Sequence, residues 1–574
     1  MNAFTRLLHL PLLAKELLEQ AARPRTYWMR VAYGGLLYCV VVLPQLEFFK
    51  SSGNPRGVLG EGRELFDALV GFQFAGIFLF LPALMSGRIT MEKERESLAL
   101  LLLTELSPAQ IVLQKYFAGL VPMLTFLLLG LPLAAVAYAF GGFPPVDLAL
   151  AAVLLLLACL QVGALALWCS AMYRTTVGAF IGTYAIGAAF YFGPAAIGTF
   201  VDWIGWVPSS HIDKAVVFMH IPPAAFEEIR SGRLRSVDDL RFFTAILAST
   251  TLFLWLAIHH LPRNAFAPPT RFLKRLFELL DRVAQGVNRR LGNVMLGRRT
   301  HTLPEDEPVL WRERRSRMMG RPAYLVRLLV AVEVPIVLIA LSATMSDGYT
   351  HEQGALSALA ACAGTFGVLV LTVVAANAFA TERASQTLDV LLTTPLTARE
   401  IVRQKARSLR GLVLVIAVPL LSVFGYEALL ESIVTGPPFI RRPDRPPEWL
   451  YIVCVVLTVG IYLPLVSWLS LWIGLVNRTR LRAIVTALVA IVGWCALPPL
   501  LLGGVFDVIP EKGQGLLYLS SPVVIAAANE FHSLGEFVSG APWLPVLLNF
   551  AGYAIILYVI RDRCLSRADE YLRR

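Results

Sequence analysis

Long apolar stretches separated by short polar segments run through most of the 574-residue chain. Each stretch is long enough to cross a hydrocarbon layer of about 30 Å as an α-helix. The pattern therefore predicts an all-α, polytopic membrane protein with about 12 transmembrane helices. The predicted spans are residues 31–49, 65–87, 116–140, 148–173, 176–200 and 243–262, followed by 326–344, 355–380, 411–432, 449–476, 481–504 and 545–560.

One polar segment between the spans occurs twice. Residues Glu92–Lys115 (EKERESLALLLLTELSPAQIVLQK) align without a gap on Glu382–Lys405 (ERASQTLDVLLTTPLTAREIVRQK), 290 positions later, and ten of the 24 pairs are identical. The identical pairs include Glu, Thr, Gln and Lys, so a shared apolar bias does not explain them. The chain is predicted to be an internal duplication. Since six spans is an even number, the two six-helix repeats run parallel to each other.

The predicted organisation has three parts. Residues 1–262 form the first repeat, with an amphipathic helix on the membrane surface, six spans and the polar loop 88–115. Residues 263–325 form a linker that runs into a second amphipathic helix. Residues 326–574 form the second repeat, with six spans and the polar loop 381–405.

The two amphipathic helices, called here the interfacial helices, correspond at an offset of 297, which pairs Glu16 with Glu313 and Arg30 with Arg327. The linker between the repeats is basic, with fourteen Lys and Arg against six Asp and Glu before Arg327. Its amphipathic stretch RFLKRLFELLDRV predicts either a helix that lies on an anionic leaflet or a solvated linker helix.

Composition and charge set the location of the chain. It is 56% hydrophobic and 16% charged, with a mean hydropathy of +0.64, which is too apolar for an ordinary soluble core. The net charge of +11 falls between apolar runs rather than on a polar domain, which argues against nucleic acid as a partner. With the N-terminus inside, 39 of the 51 Lys and Arg lie on the inner side. The positive-inside rule then predicts an inner (plasma) membrane protein with both termini and both repeated loops cytoplasmic.

The first copy of the loop predicts a helix–turn–helix elbow. Glu92, Glu96 and Leu100 are four residues apart and are predicted to share a helical face. The three residues Leu98, Leu101 and Leu102 form an apolar stripe, predicted to pack beneath the bilayer or against another protein.

A second, short helix of the elbow is predicted to begin near Pro108, with Thr104 or Ser107 as its N-cap. In the second copy, Thr394 or Thr397 is predicted to take that role.

The repeated segment resembles the cytoplasmic loop between the second and third spans of ABC-2-type permeases, the membrane subunits of ABC exporters. The family pattern reads approximately E-R-E/x-x-G-T-L-E-x-L-L-x-T-P-L-x-x-x-E-I-x-x-G-K. The second copy matches it at Glu382-Arg383, Thr387-Leu388-Asp389, Leu391-Leu392, Thr394-Pro395-Leu396, Glu400-Ile401 and Lys405. The first copy has Glu105 where the family has Pro, and both copies have Gln (Gln114 and Gln404) where the family has Gly.

The resemblance implies a permease subunit of an ATP-driven exporter whose loops hold coupling helices for an ATP-binding subunit. Matched by motif, the docking residues are Glu92, Lys93, Glu96, Thr104, Ser107 and Lys115 in the first loop, and Glu382, Arg383, Thr394, Pro395, Thr397, Glu400 and Lys405 in the second. The chain has no GxxxxGK[ST] phosphate loop. It is therefore not expected to be an enzyme or to bind a cofactor or metal. ATP is expected to bind to a partner subunit, and that ATP-binding subunit is expected to be a dimer. Membrane lipid and an accessory periplasmic or extracellular protein are the other expected partners.

Three alternatives stay open. An ion-coupled secondary transporter would use ionisable groups within the spans, and Glu333 is the main one, although pairing with Arg327 or Arg30 would make it structural. A mechanotransmitting partner of an ATPase would move nothing through itself. A membrane enzyme is disfavoured, because the adjacent His259 and His260 point to different helical faces. The outer loops 201–242 and 505–544 are predicted to be re-entrant or capping helices, or plain loops, and no residue selects a cargo.

Overall fold

The computed structural model of the protein describes residues 11–22, 24–42, 62–203, 219–231, 240–265, 307–316, 349–384, 386–434, 448–477, 479–503, 521–530 and 543–573, with five residues between 329 and 337. Within these ranges the chain is helical and contains no β-strand, which confirms the all-α fold class. Contacts divide the chain into two units, Met1–Thr270 and Arg271–Arg574. Each unit is described by itself. The three-part division at residues 262 and 325 stays a prediction.

Ten helices are described in the first unit. They are α1 (Pro11–Ala21), α2 (Pro24–Val41), α3 (Gly62–Glu94), α4 (Leu98–Leu102), α5 (Pro108–Leu129), α6 (Leu131–Phe140), α7 (Pro145–Met172), α8 (Thr176–Trp203), α9 (Pro222–Arg230) and α10 (Leu240–Ala265). Helix α1 is the predicted interfacial helix, and α4 is the short helix inside the polar loop.

The described part of the second unit repeats this order. Its helices are α11 (Pro308–Ser316), α12 (Tyr349–Ala384), α13 (Thr387–Leu392), α14 (Ala398–Val434), α15 (Glu448–Leu457), α16 (Leu463–Val476), α17 (Arg480–Gly503), α18 (Pro522–Glu530), α19 (Trp543–Ser566) and α20 (Ala568–Arg573). A π-helical turn, Thr458–Tyr462, joins α15 to α16. Pro464 follows that turn and has no N–H for the regular i→i−4 bond, which gives the turn a physical cause.

Seven helices among the described residues are long and apolar enough to cross a membrane. They are Gly62–Glu94, Pro108–Phe140, Pro145–Met172, Arg241–Asn264, Ala363–Arg383, Ala398–Tyr426 and Tyr451–Val476. Two shorter apolar stretches, Thr176–Tyr191 and Arg482–Cys495, fall on further predicted spans. The polytopic prediction is confirmed. The predicted spans 31–49 and 326–344 lie partly outside the described residues, so the number of twelve stays a prediction.

Helix α7 is the centre of the first unit, where it packs against α3 and α10. Its buried face carries small residues, including Ala158, Gly163, Ala164 and Ala166, which let neighbouring helices approach closely. The hydroxyl of Ser170 on α7 donates a hydrogen bond of 2.8 Å to the carbonyl oxygen of Ser86 on α3. The crossing of the second and fourth spans is therefore held by a hydrogen bond.

The matching crossing of the second unit, between α12 and α16, is held by close backbone contact. Gly474 on α16 lies against Ala376 on α12, where an added Cβ would stand 2.2 Å from the carbonyl oxygen of Ala376. Only glycine permits this approach. Ser170 and Ser86 correspond to Gly474 and Ala376 at the offsets of 304 and 290 that the repeat has in these regions.

Both outer loops contain a nine-residue helix, α9 and α18. The first packs on its own unit through Pro222, Ala225 and Ile229, and the Arg230 side chain lies 3.2 Å from Asp67 on α3. The second packs through Ile525 and Ala528. Helices are therefore present in both loops, as predicted for one of the two alternatives.

Candidate coupling loops and their anchors

A left-handed residue interrupts the helix at the same position of each polar loop. Glu96 has a φ of 58° and Gln386 a φ of 54°, and these are the only non-glycine residues with positive φ among those described. Such a residue ends a helix, because the next turn cannot continue its hydrogen bonds. The prediction that Glu92, Glu96 and Leu100 share one helical face is therefore wrong. The chain turns at Glu96 and begins the short helix α4 in a new direction.

The apolar stripe of each loop packs against its own unit. Leu98 is buried, and Leu101 and Leu102 pack against the same core cluster. In the second unit, Leu388 and Leu391 are buried in the equivalent cluster. The stripe therefore fixes each loop to the helices of its own unit, and a location beneath the bilayer or against another protein stays a prediction.

The turn at the left-handed residue is closed by a hydroxyl–carboxylate hydrogen bond. The Ser97 hydroxyl donates to the Glu92 side chain, and the Thr387 hydroxyl donates to the Glu382 side chain. The Ser97 amide also donates to the Glu92 carbonyl oxygen at 3.0 Å. This hydrogen bond fixes the orientation of the first carboxylate of each loop.

Ser107 and Thr397 are the N-caps of the third spans. The Ser107 hydroxyl accepts from the Gln110 amide at 3.3 Å, and the Gln110 side chain accepts from the Ser107 amide at 2.9 Å. Thr397 and Glu400 make the same reciprocal pair at 3.3 and 2.9 Å. Each pair is a capping box, which satisfies two free backbone donors.

Thr104 and Thr394 act at the end of the preceding short helix. Each hydroxyl donates at 2.6 Å to the carbonyl oxygen three residues before it, on Leu101 and Leu391. Of the capping alternatives predicted from the sequence, the structure selects Ser107 and Thr397. The capped helices are the long spans α5 and α14 rather than short helices.

A buried lysine joins the loop to the interfacial helix in the first unit. The Lys115 ammonium lies 3.1 Å from a carboxylate oxygen of Glu16 on α1 and 3.4 Å from one of Glu92 on α3. Arg88 on α3 also contacts Glu16, at 3.3 Å. Three segments that are far apart in the sequence therefore meet at one ammonium group.

The second unit contains the same cluster. The Lys405 ammonium lies 3.1 Å from Glu313 on α11 and 3.2 Å from Glu382 on α12, and donates to the Ala378 carbonyl oxygen at 2.9 Å. It also lies 5.0 Å from the centre of the Phe379 ring. Arg312 forms a further ion pair with Glu382. These two clusters, Glu16–Glu92–Lys115 and Glu313–Glu382–Lys405, are called here the anchor clusters.

A glutamine next to each anchor lysine holds the start of the interfacial helix. The Gln114 side-chain oxygen accepts from the amides of Leu12 and Leu13, at 3.0 and 3.2 Å. The Gln404 oxygen accepts from Val309 and Leu310, at 2.9 and 3.2 Å. These amides belong to the first turn of a helix, where intrahelical acceptors are missing. The sequence interpretation missed this role, although Gln in both copies, where the resembling family has Gly, was a signal for it.

Lys93 and Arg383, one residue after the anchor carboxylates, hold the end of the fourth span. The Lys93 ammonium donates to the carbonyl oxygens of Ser170 and Tyr173, at 3.2 and 3.0 Å. The Arg383 guanidinium donates to the Asn477 carbonyl oxygen at 3.2 Å. Cations at a helix C-terminus satisfy its free carbonyl groups and complement its dipole. The start of each loop, which follows the second span, is thereby also joined to the fourth span of its own unit.

The predicted docking residues thus divide into two groups. Those that point into the unit are Glu92, Lys93 and Lys115 in the first loop, and Glu382, Arg383 and Lys405 in the second. Those exposed at the surface of the loops are Glu96, Thr104 and Ser107 in the first, and Thr394, Pro395, Thr397 and Glu400 in the second. A docking role stays a prediction for all of them.

The remaining predicted residues are less closely tied to the loops. Glu16 and Glu313 lie in the anchor clusters, whereas Arg30 lies over the ring of Tyr27, 5.5 Å from its centre. Arg327 lies outside the described residues. Glu333 is half-buried. Of the four residues predicted for the interfacial helices, the structure brings only the two glutamates to the loops.

Each short helix exposes one apolar side chain at the same position of the two loops. Leu100 is 69% exposed in the first unit, and Val390, its counterpart 290 positions later, is 66% exposed. Leu103 is also exposed, at 83%, but its counterpart is Thr393. The same position of both loops therefore leaves an apolar side chain exposed.

The fold defines a multi-pass α-helical membrane protein. The loops between its second and third spans end in capping boxes and are held by the anchor clusters. Residues 314–493 match the family described as ABC-2 family transporter protein. This match confirms the resemblance to ABC-2-type permeases predicted from the sequence. The match lies within the second unit, and the fusion of two permease halves in one chain stays a prediction. No curated protein matches the chain.

Proposed function

We propose that this chain is the membrane subunit of an ATP-driven exporter and that both of its loops dock on ATP-binding subunits. The observation that carries the proposal is the paired exposure of Leu100 and Val390 on two loops that have the same internal anchors. In each unit the short helix leads directly, through its anchor cluster, to the interfacial helix and to the second and third spans. A displacement of the short helix is expected to move these elements together.

In this proposal ATP binds to a partner subunit, and two copies of that subunit form a dimer that receives one loop from each unit. The proposal also places both loops and both termini on the cytoplasmic side of an inner membrane, because most Lys and Arg fall on that side. Export as the direction of transport rests on the resemblance to ABC-2-type permeases. Hydrolysis is not assigned to this chain.

Substitution of the exposed apolar residues tests the docking role. Leu100→Asp and Val390→Asp replace a desolvated contact with a charge, which is expected to lower recovery of the ATP-binding subunit about tenfold in native co-purification. Because both side chains are exposed, the thermal midpoint of the purified chain is expected to stay the same. Glu382 is a poorer target, since it lies in an anchor cluster.

Thr479→Asp is the matched control. Thr479 is exposed, follows the fourth span of the second unit, and lies at the start of α17, where Asp is tolerated as a cap. This variant adds the same charge outside the loop and is expected to keep the partner. Undiminished recovery with both Leu100→Asp and Val390→Asp would refute docking through the loops.

An ion-coupled transporter is the competing class, and Glu333 separates the two. In an ATP-driven exporter, Glu333→Gln is expected to leave transport and its pH dependence unchanged, because no proton is carried by the chain. Transport that is lost in this variant together with its proton dependence would favour the competing class.

A further inference from the structure

A groove of about 580 Å³ opens on the second unit between α14, α16 and α19. Its walls are apolar over most of their area and include Leu414, Trp468 and Leu557. One end is different, because four arginines lie there: Arg403, Arg407, Arg410 and Arg561. The groove therefore combines a long apolar wall with a strongly cationic end.

The cationic end lies where the predicted spans end. Arg410 directly precedes the predicted span 411–432, and Arg561 directly follows the predicted span 545–560. Arg403, Arg407 and Arg410 follow one another at helical spacing along α14, on the side of the unit that carries the coupling loop. From these predicted span ends we expect the cationic end at the level of lipid headgroups and the apolar wall at the level of acyl chains.

Three of the four guanidinium groups are available to a ligand. Arg407 forms an ion pair with Glu307 at the start of the interfacial helix. Arg403, Arg410 and Arg561 are exposed and take part in no hydrogen bond or ion pair between residues that the structure describes. Guanidinium groups bind phosphate oxygens with two parallel hydrogen bonds, so a cluster of three favours a phosphate group.

The corresponding face of the first unit has no such chemistry. At the offset of 290, Leu113, Phe117 and Leu120 take the places of Arg403, Arg407 and Arg410. The arginines are therefore not a requirement of the loop or of its anchor cluster, which are the same in both units. The three arginines of α14 belong to the second unit alone, whereas Arg561 follows the last span of its unit as Arg263 follows that of the first.

From this charge complementarity we propose that the groove binds an anionic phospholipid of the leaflet on the coupling-loop side. Its headgroup phosphate lies among Arg403, Arg410 and Arg561, and an acyl chain lies along Leu414, Trp468 and Leu557. Basic pockets between spans at the membrane surface recognise anionic headgroups in this way. The groove adjoins α14, which begins at the coupling loop, so the bound lipid is positioned to stabilise that helix.

Quenching of Trp468 by brominated lipid tests the proposal on the full chain in detergent micelles. Phosphatidylglycerol with bromine on its acyl chain is added in one titration, and phosphatidylcholine with the same brominated chain in a second. The fluorescence of Trp468 is obtained by subtracting the fluorescence of the Trp468→Phe variant from that of the unmodified chain. Half-maximal quenching is expected at a mole fraction of phosphatidylglycerol about tenfold lower than that of phosphatidylcholine, because several arginines attract one anionic headgroup. Equal quenching by both lipids would overturn the proposal, and this comparison needs no arginine variant.

Two arginine variants locate the effect. Arg403→Gln, Arg410→Gln and Arg561→Gln together are expected to abolish the preference for phosphatidylglycerol. The control combines Arg482→Gln, Arg563→Gln and Arg567→Gln, three exposed arginines of the same unit that do not line the groove, and is expected to keep it. Loss of preference in the control as well would assign the effect to general surface charge and overturn the site.

Two further arms separate the lipid from other occupants. Inorganic phosphate at millimolar concentration is expected not to reverse the quenching, because it lacks the acyl chain, and reversal would refute a lipid site. Co-purification of the ATP-binding subunit is expected to survive the groove variant. Loss of the subunit with unchanged lipid preference would show that the arginines serve a protein contact instead. Failure of docking at Leu100 and Val390 would leave the lipid result unaffected.

Discussion

The two anchor clusters have the same connections but different burial. In the first, the Glu92 side chain is 35% exposed, whereas the matching Glu382 in the second is 8% exposed. The lysines are buried in both, at 3% and 1%. Water thus reaches one cluster and hardly reaches the other. The two clusters therefore share the same ion pairs in surroundings that differ in their access to water.

The largest expected effect follows from this difference. Lys405→Met leaves the carboxylates of Glu313 and Glu382 buried with less compensation, although Arg312 still contacts Glu382. Breaking a buried ion pair on one side costs about 3–5 kcal/mol. In the first unit, Lys115→Met leaves Glu92 partly hydrated and Glu16 paired with Arg88, so a smaller loss is expected, of about 1–3 kcal/mol. The thermal midpoints of the two purified variants measure the order.

Removal of the opposing charges distinguishes a buried-charge effect from lost packing. Lys405→Met combined with Glu313→Gln and Glu382→Gln removes the uncompensated carboxylates, and much of the lost stability is expected to return. A lysine replaced by arginine is not an equivalent control, because the guanidinium is larger and the site is closed. Equal midpoints for Lys115→Met and Lys405→Met would contradict the difference in burial.

The next effect concerns the crossing of the second and fourth spans. Gly474→Ser places a side chain against the Ala376 backbone, which cannot move aside cheaply, and is expected to cost about 1–3 kcal/mol. Ser170→Ala in the first unit loses the hydrogen bond to Ser86 and those accepted from the Ile89 and Thr90 amides, and is expected to cost about 1 kcal/mol. Thermal midpoints again give the order.

Gly552→Ser is the control for this comparison. Gly552 lies on α19, and an added Cβ there meets no atom within 4 Å. The same substitution is therefore expected to leave the midpoint unchanged. If Gly474→Ser were as mild as Gly552→Ser, the backbone contact between α12 and α16 would not be a requirement of the fold.

The periodicity of apolar residues was sufficient to predict the helical class and most of the spans. The repeated segment was sufficient to identify the loops, because Glu, Thr, Gln and Lys recur in register. The direction of the side chains was not predictable. A helical spacing placed Glu92, Glu96 and Leu100 on one face, but a single left-handed residue at Glu96 separates them. Nothing in the residue type signals such a turn, since neither Glu96 nor Gln386 is a glycine.

The inward direction of the polar residues was hidden for a related reason. Glu92 and Lys115 are 23 positions apart, and their common partner Glu16 is 76 positions before Glu92. Charged residues in a cytoplasmic loop are usually solvated, so the motif favoured a surface role for them. Their ion pairs depend on how the interfacial helix packs against α5, which no local pattern reports.

The smallest expected effect tests whether the glutamines are equivalent caps. Gln114→Met and Gln404→Met keep the side-chain length and remove the acceptor oxygen, and loss of a helix N-cap costs about 0.5–2 kcal/mol. Leu12 and Leu13 are half-buried, so water can replace the lost acceptor there, whereas Val309 and Leu310 are buried. Faster amide hydrogen exchange is therefore expected in the first turn of both interfacial helices, with the larger loss of stability in the second unit.

Gln114→Glu retains an acceptor and is expected to keep the slow exchange, since a carboxylate also complements the helix N-terminus. Unchanged exchange in both Met variants would mean that packing alone fixes the interfacial helices, and the glutamines would then lose their role in joining them to the loops.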